Sequence, residues 1–283
     1  MEPKVQNELE RLLVGQSNRE PLSQLGFFSK PVAIEEGPLS GNVIKVYRSS
    51  SNSKLLIDLQ EDHQAYLQAL DSLGVSVPPT HLHVVSRRKS FTPIIVQKRL
   101  GSEAMIRYQL EQATDIDTFI SLTQRLLQAA IDFIITKHEQ DLHVGFHPTT
   151  RNYALDQHNP IYFDTFPPMT RGQEAVNRYI LHFAPVPCWV KYFIRLSALN
   201  RISDEYYDDV KMLIGIVGSA CRLRPAGAEQ ILSAGRRYIE ESSLREPVKQ
   251  QVSSVLAEPP RLSRLWTSFR RVFRKEGAPN TPR

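Results

Sequence analysis

Residues His143–Pro168 read HVGFHPTTRNYALDQHNPIYFDTFPP. Polar residues and prolines open the stretch as a loop, and Asn152–Leu155 follow as a short strand. Gln157–Pro160 supply turn residues, and a second apolar strand, Ile161–Phe163, stops abruptly on Asp164. A lone carboxylate closing an apolar strand, an Asn on the preceding strand and imidazoles just before them can converge on one point. Such a point suits a hard metal ion and phosphate oxygens.

On these residues the chain resembles the protein-kinase-like fold, in its aminoglycoside phosphotransferase and choline kinase branch. There a loop of the type H-G-D-x-x-x-x-N is followed about a dozen residues later by an Asp closing a strand. Gly145-Phe146-His147 stands in the place of H-G-D, Asn152 on the loop Asn and Asp164 on the metal Asp. The resemblance implies that Asn152 and Asp164 hold Mg²⁺ and that the loop residue orients or deprotonates an acceptor hydroxyl. His147 occupies the place of that catalytic Asp. A second register, on Asp141-Leu142-His143, leaves Asn152 too far downstream.

Outward from this stretch, Ile116, Phe119, Ile120, Leu122, Leu126, Leu127, Ala130, Ile131, Ile134 and Ile135 recur at helical spacing within 115–137. They predict a buried central helix capped by Thr114 or Asp115. After Pro168, stretches 173–183, 188–199, 204–222, 227–241 and 246–256 also read as helices. The first hundred residues differ in character. A peripheral helix within 5–14 precedes short strands at 25–28, 31–34 and 42–48; a helix is expected over 59–70, and further strands at 81–85 and 93–97.

Val43-Ile44-Lys45-Val46-Tyr47 places a lysine among apolar strand neighbours, as in the V-A-I-K strand of kinases. The resemblance assigns Lys45 to the phosphates and Glu61, with Asp62 or His63 as substitutes, to pairing with it. Gln97–Leu100 then form the hinge where backbone groups meet an adenine, so Lys45, Glu61, Gln97 and Leu100 are the expected nucleotide contacts. His147, neutral near pH 7, is the candidate catalytic group, with His143 and Asp141 close enough in sequence to assist.

The expected fold is α+β and bilobal: an N-terminal helix over 1–20, a small mixed-sheet lobe over 21–100, a mainly helical lobe over 101–258 and a tail over 259–283. A chain of 283 residues, 41% of them hydrophobic, is long enough for that arrangement. Two cysteines outside any C-x-x-C, and no leader-like opening, suit a reduced cytoplasmic setting.

From Pro259 onward the tail carries seven basic residues against Glu276 alone, a balance of +6. The net charge of +5 therefore leaves about −1 for the rest, so bulk charge does not indicate nucleic-acid binding. Within the tail, Leu262, Leu265, Trp266, Phe269, Val272 and Phe273 share one helical face beside arginines. That pattern suits an anionic membrane surface, a partner protein's groove, or the protein's own core.

The resulting expectation is a divergent kinase-like protein that binds Mg²⁺ and ATP or another nucleotide, as a pseudokinase or regulator. An atypical small-molecule phosphotransferase using His147 is the alternative. A metal-dependent hydrolase built on His138, Glu139, His143, His147 and Asp164 is the reading from another class, although His138 to His143 has one residue too many for H-E-x-x-H.

Overall fold

The computed structural model describes residues 3–14, 21–22, 28–87, 90–156, 159–185, 200, 203–258 and 260. Helix α1 (Pro3–Val14) comes first, followed by strands β1 (Val32–Ile34) and β2 (Asn42–Val46), helix α2 (Ser53–Ser72), and strands β3 (Thr80–Arg87) and β4 (Ser90–Lys98). The four strands form one antiparallel sheet in the order β1-β2-β4-β3.

Alternation along the strands divides this sheet into two apolar faces. Ile34, Ile44, Val85, Ile94 and Val96 meet Leu9 and Leu12 of α1 on one face. Ile95 and Tyr47 meet Leu55, Leu56 and Leu59 of α2 on the other. Lys45 lies directly across from Ile95 in the β2–β4 register, which puts the lysine on the α2 face.

α2 begins six residues earlier than its apolar periodicity alone predicts. The Asn52 side chain accepts from the Leu55 backbone N–H at 3.0 Å, so what reads as a serine-rich turn ends in a helix cap. The other end of α2 leaves the sheet, and Tyr66, Leu70 and Leu73 enter the core of the helical part. One helix thus packs against both lobes.

The larger lobe contains α3 (Ile106–Gln112), α4 (Ile116–Glu139), the hairpin β5 (Tyr153–Asp156) and β6 (Asn159–Tyr162), then α5 (Gly172–Phe183), α6 (Asp209–Leu223), α7 (Ala228–Glu240) and α8 (Glu246–Val255). The predicted central helix is α4. Asp115 caps it by accepting from the Thr118 N–H at 2.7 Å, and Phe119, Leu126, Leu127, Ala130, Ile131, Phe133 and Ile134 bury its apolar stripe. The architecture is α+β, a small antiparallel sheet joined to a larger helical part, consistent with the kinase-like bilobal arrangement.

The hairpin boundaries differ from the sequence reading. Pro160 sits inside β6, opposite Leu155, instead of in the turn. Among the described residues β6 has no second strand neighbour, so the missing proline N–H breaks no ladder on its outer side. The helix expected over 188–199 and the tail over 261–283 lie outside the described residues. Among the described residues, no helix is long and apolar enough to cross a membrane.

Candidate functional site

α4 delivers the chain to the polar loop through a tight stop. Asp141 takes up the left-handed conformation at φ 51°, a position usually given to Gly or Asn. The Leu142 N–H donates to the Lys137 carbonyl at 3.0 Å and the Asp141 N–H to His138 at 3.3 Å, the paired bonds of a Schellman ending. Asp141-Leu142-His143 is therefore the end of a helix, which accounts for the second register as local geometry.

Beyond it the loop is fixed mainly by backbone bonds. Gly145 N–H donates to Met169 at 2.8 Å and Phe146 N–H to Tyr206 at 2.6 Å. A Cβ on Gly145 would come within 2.9 Å of the Met169 Cβ and 3.0 Å of the Tyr207 ring, so only glycine fits. Phe146 stacks on Phe133 of α4 with centroids 4.3 Å apart, while His143 stacks on Tyr207 at 4.9 Å. His147 lies 4.8 Å from the Tyr206 ring.

The Asn152 side-chain nitrogen is 3.0 Å from the His147 carbonyl oxygen and 3.3 Å from its Nδ1. The Asn152 carbonyl accepts from the Phe163 N–H at 3.0 Å, tying the start of the hairpin to the residue before Asp164. From the sheet lobe, the Lys45 ammonium donates to the Phe163 carbonyl at 2.7 Å. One residue past Asp164, the Thr165 hydroxyl is 3.0 Å from His63 Nε2 of α2. Bonds from two lobes thus hold the backbone on both sides of Asp164.

Electrostatics follow from this placement. Burial pushes the Lys45 ammonium below the ordinary lysine value, and the negative charge of Asp164 partly restores it. Burial likewise lowers the His147 imidazole, again with Asp164 opposing, so the ring is neutral at pH 7. His63 is pushed down to about 3 by burial first, then by the positive charge of Lys45.

The sequence-derived site residues therefore divide into two sets. Lys45, His147, Asn152 and Asp164 come together. Glu61 does not reach Lys45: it is exposed and lies 3.5 Å from Arg171. His63, one of the two substitutes in the same helical turn, faces the site instead, because α2 buries Asp62 and His63 and leaves Glu61 in solvent.

Gln97 is buried within β4, and its amide donates to the Thr80 hydroxyl at 2.8 Å. The chain leaves the sheet after Lys98, so Leu100 follows the strand end and Gln97 precedes it. The Arg99 N–H there donates to Gly41 at 3.1 Å.

Sequence reasoning missed Asp62, Arg171 and Tyr179 as a group. Asp62, 2% exposed, lies 2.5 Å from the Arg171 Nε and accepts from the Tyr179 hydroxyl at 2.6 Å. Only an acidic residue on the inward face of α2 signals it.

The residues fit a magnesium ion carried by phosphates. Among the described residues, no hydrogen-bond or ion-pair partner engages the Asp164 carboxylate. The Asn152 amide turns its nitrogen to His147, which leaves its oxygen as the second hard donor. Two protein oxygens suffice for an ion that keeps several waters and takes phosphate oxygens.

A zinc centre does not assemble. His138 is 2.6 Å from Asp209, His143 stacks on Tyr207 while His147 packs at a tilt against Tyr206, and among the described residues no three His, Cys, Asp or Glu could hold an ion.

A family model matches residues 8–277, nearly the whole chain. The protein belongs to DUF6206, a family of unknown function. No curated protein matches it. Among solved structures it is similar to a Helicobacter pylori proinflammatory kinase, CtkA, with 11% identity over 86% of this chain and 92% of that one and a TM-score of 0.28.

Proposed function

We propose that this DUF6206 protein binds a nucleotide with Mg²⁺ between its two lobes, in the manner of the aminoglycoside phosphotransferase and choline kinase branch, and acts as a pseudokinase or regulator. The observation that carries this reading is the bond from Lys45 to the Phe163 carbonyl. It sets a partly buried cation within electrostatic reach of Asp164, and the Phe163 N–H bond to the Asn152 carbonyl ties Asn152 to the same segment. A cation for phosphate and two hard oxygens for the metal are the groups such a ligand requires.

When bound, Mg²⁺ would supply charge neutralisation between phosphates. Lys45 would hold phosphate oxygens, and Asn152 and Asp164 would orient the ion. The residue that transfer would need, a carboxylate at position 147, is absent.

Thermal unfolding of the full chain with ATP or GTP, with and without Mg²⁺, tests the reading. Ligand at about 100 times Kd adds roughly 2.7 kcal/mol, a shift of a few degrees for a protein of this size. A metal-dependent shift that Asp164→Ala abolishes is expected. No shift with any nucleotide, in folded protein, overturns the proposal.

A further inference from the structure

We infer that His147 is a fixed hydrogen-bond donor, its proton held on Nε2 by Asn152 and offered to an oxyanion at the Asp164 site, and is not the base that phosphotransfer needs. The identity of the oxyanion as a nucleotide phosphate rests on the function proposed above; the donor role does not.

The argument begins with the Asn152 amide. Its Nδ2 lies 3.0 Å from the His147 carbonyl oxygen. An amide oxygen there would face another acceptor with no hydrogen between them, so this contact fixes which end of the side chain turns to the loop. The same nitrogen is 3.3 Å from His147 Nδ1 and has a second N–H to give. A donor facing Nδ1 requires a lone pair on Nδ1. In a neutral imidazole the proton then resides on Nε2.

The ring is also held in place. The Tyr206 ring packs against it at 4.8 Å, and the Tyr206 carbonyl accepts from the N–H of the preceding residue, Phe146, at 2.6 Å. Pro148 follows and restricts the backbone at His147. The ring is only partly buried, and Nε2 has no partner among the described residues. The ring is within electrostatic reach of Asp164, and an unpartnered Nε2–H on that side needs an acceptor, a role that phosphate oxygens fill.

Base catalysis would require the opposite tautomer. A lone pair on Nε2 puts the proton on Nδ1, where it would meet the Asn152 N–H head-on. The same asparagine that offers its oxygen to a metal therefore sets His147 to bind and not to deprotonate.

Imidazole ¹⁵N spectra of the ligand-free full chain test this directly, with the His147 signals assigned by their loss in His147→Gln. The expected pattern at pH 7.5 is protonated Nε2 and unprotonated Nδ1, shifting toward a mixture in Asn152→Leu. Protonated Nδ1 in the wild type overturns the inference.

Titration with Mg·ATP supplies the second measurement. His147→Gln, which keeps an N–H at a similar reach, is expected to stay within about threefold of wild type. His147→Glu, an acceptor only, is expected to lose at least about tenfold, equivalent to about 1.4 kcal/mol. Equal binding by both variants would also overturn the donor role. Wild type that binds no ATP but shows protonated Nε2 would refute the nucleotide proposal alone, and inorganic tripolyphosphate would then replace ATP in the same comparison.

Discussion

The Lys45 ammonium donates to the Phe163 carbonyl at 2.7 Å, joining the central part of a sheet strand to the residue before Asp164, 118 positions later in the chain. The same ammonium lies 5.6 Å from the Phe163 ring centroid. The contact is therefore both a polar link from the sheet to the Asp164 segment and a source of positive charge at the site.

Lys45→Met should separate those two roles. A hydrogen bond to a charged group contributes about 1.5–3 kcal/mol, but holding an ammonium in a partly buried place costs a comparable amount. The unliganded variant should therefore unfold within about 1–2 kcal/mol of wild type, while any Mg·ATP-dependent rise in Tm disappears. Scanning calorimetry with and without nucleotide reads both. A full nucleotide shift in the variant would remove Lys45 from the binding site.

His63 gives the fold a definite acid sensitivity. Its imidazole titrates near 3 in the folded protein and near 6.5 when unfolded. Between those values the unfolded chain binds a proton that the folded chain does not, so stability is complete above about pH 6.5 and falls as pH drops toward 3. The slope from this one group is about 1.4 kcal/mol per pH unit. Urea unfolding at pH 7 and pH 5 should show a steeper loss for wild type than for His63→Gln, whose amide can still meet Thr165. Parallel losses would mean that His63 is solvated.

Asp62 joins the lobes through two partners, Arg171 at 2.5 Å and the Tyr179 hydroxyl at 2.6 Å. Removing one partner of a buried ion pair commonly costs 3–5 kcal/mol. Arg171 is about half exposed, so water can replace part of it, and Arg171→Met should cost about 1–3 kcal/mol. Because the damage lies in the carboxylate left behind, Asp62→Leu combined with Arg171→Met should cost less than the two changes summed. A double-mutant cycle should give a coupling of about 1 kcal/mol or more. Strict additivity would show that the two charges do not interact.

Much of this arrangement is legible in the sequence, and the lapses have particular causes. The apolar stripe of α4 has nearly seven helical turns behind it, so its span is read almost to the residue. Lys45 sits on a strand whose β-branched neighbours mark it out, and the kinase-like resemblance singles out His147, Asn152 and Asp164, which the fold brings to one region. The choice among Glu61, Asp62 and His63 depends on helical phase within one turn, which composition does not settle; burial of the inward face selects His63 for the site and Asp62 for the interlobe pair. Arg171 and Tyr179 meet Asp62 only after the chain has closed over more than a hundred residues. No local pattern announces such a contact. The start of α2 is missed for the reverse reason, since one capping Asn outweighs a run of serines.

Phe166 should matter to both stability and site geometry. Its ring lies 4.1 Å from Tyr47, 5.3 Å from Phe28 and 5.6 Å from Phe183, with 4% of its surface exposed. This aromatic cluster is where the segment after Asp164 enters the core beneath the sheet. Phe166→Ala removes most of a buried ring and should cost about 3–5 kcal/mol, whereas Phe166→Leu retains much of the volume and should cost less. If the cluster also positions Asp164, the leucine variant should remain folded yet bind Mg·ATP less tightly, because Thr165 and its bond to His63 shift with the ring. Isothermal titration of the leucine variant makes the distinction. Unchanged affinity together with lowered stability would confine Phe166 to packing and leave Lys45 and the Asn152 carbonyl as the elements that position the Asp164 carboxylate.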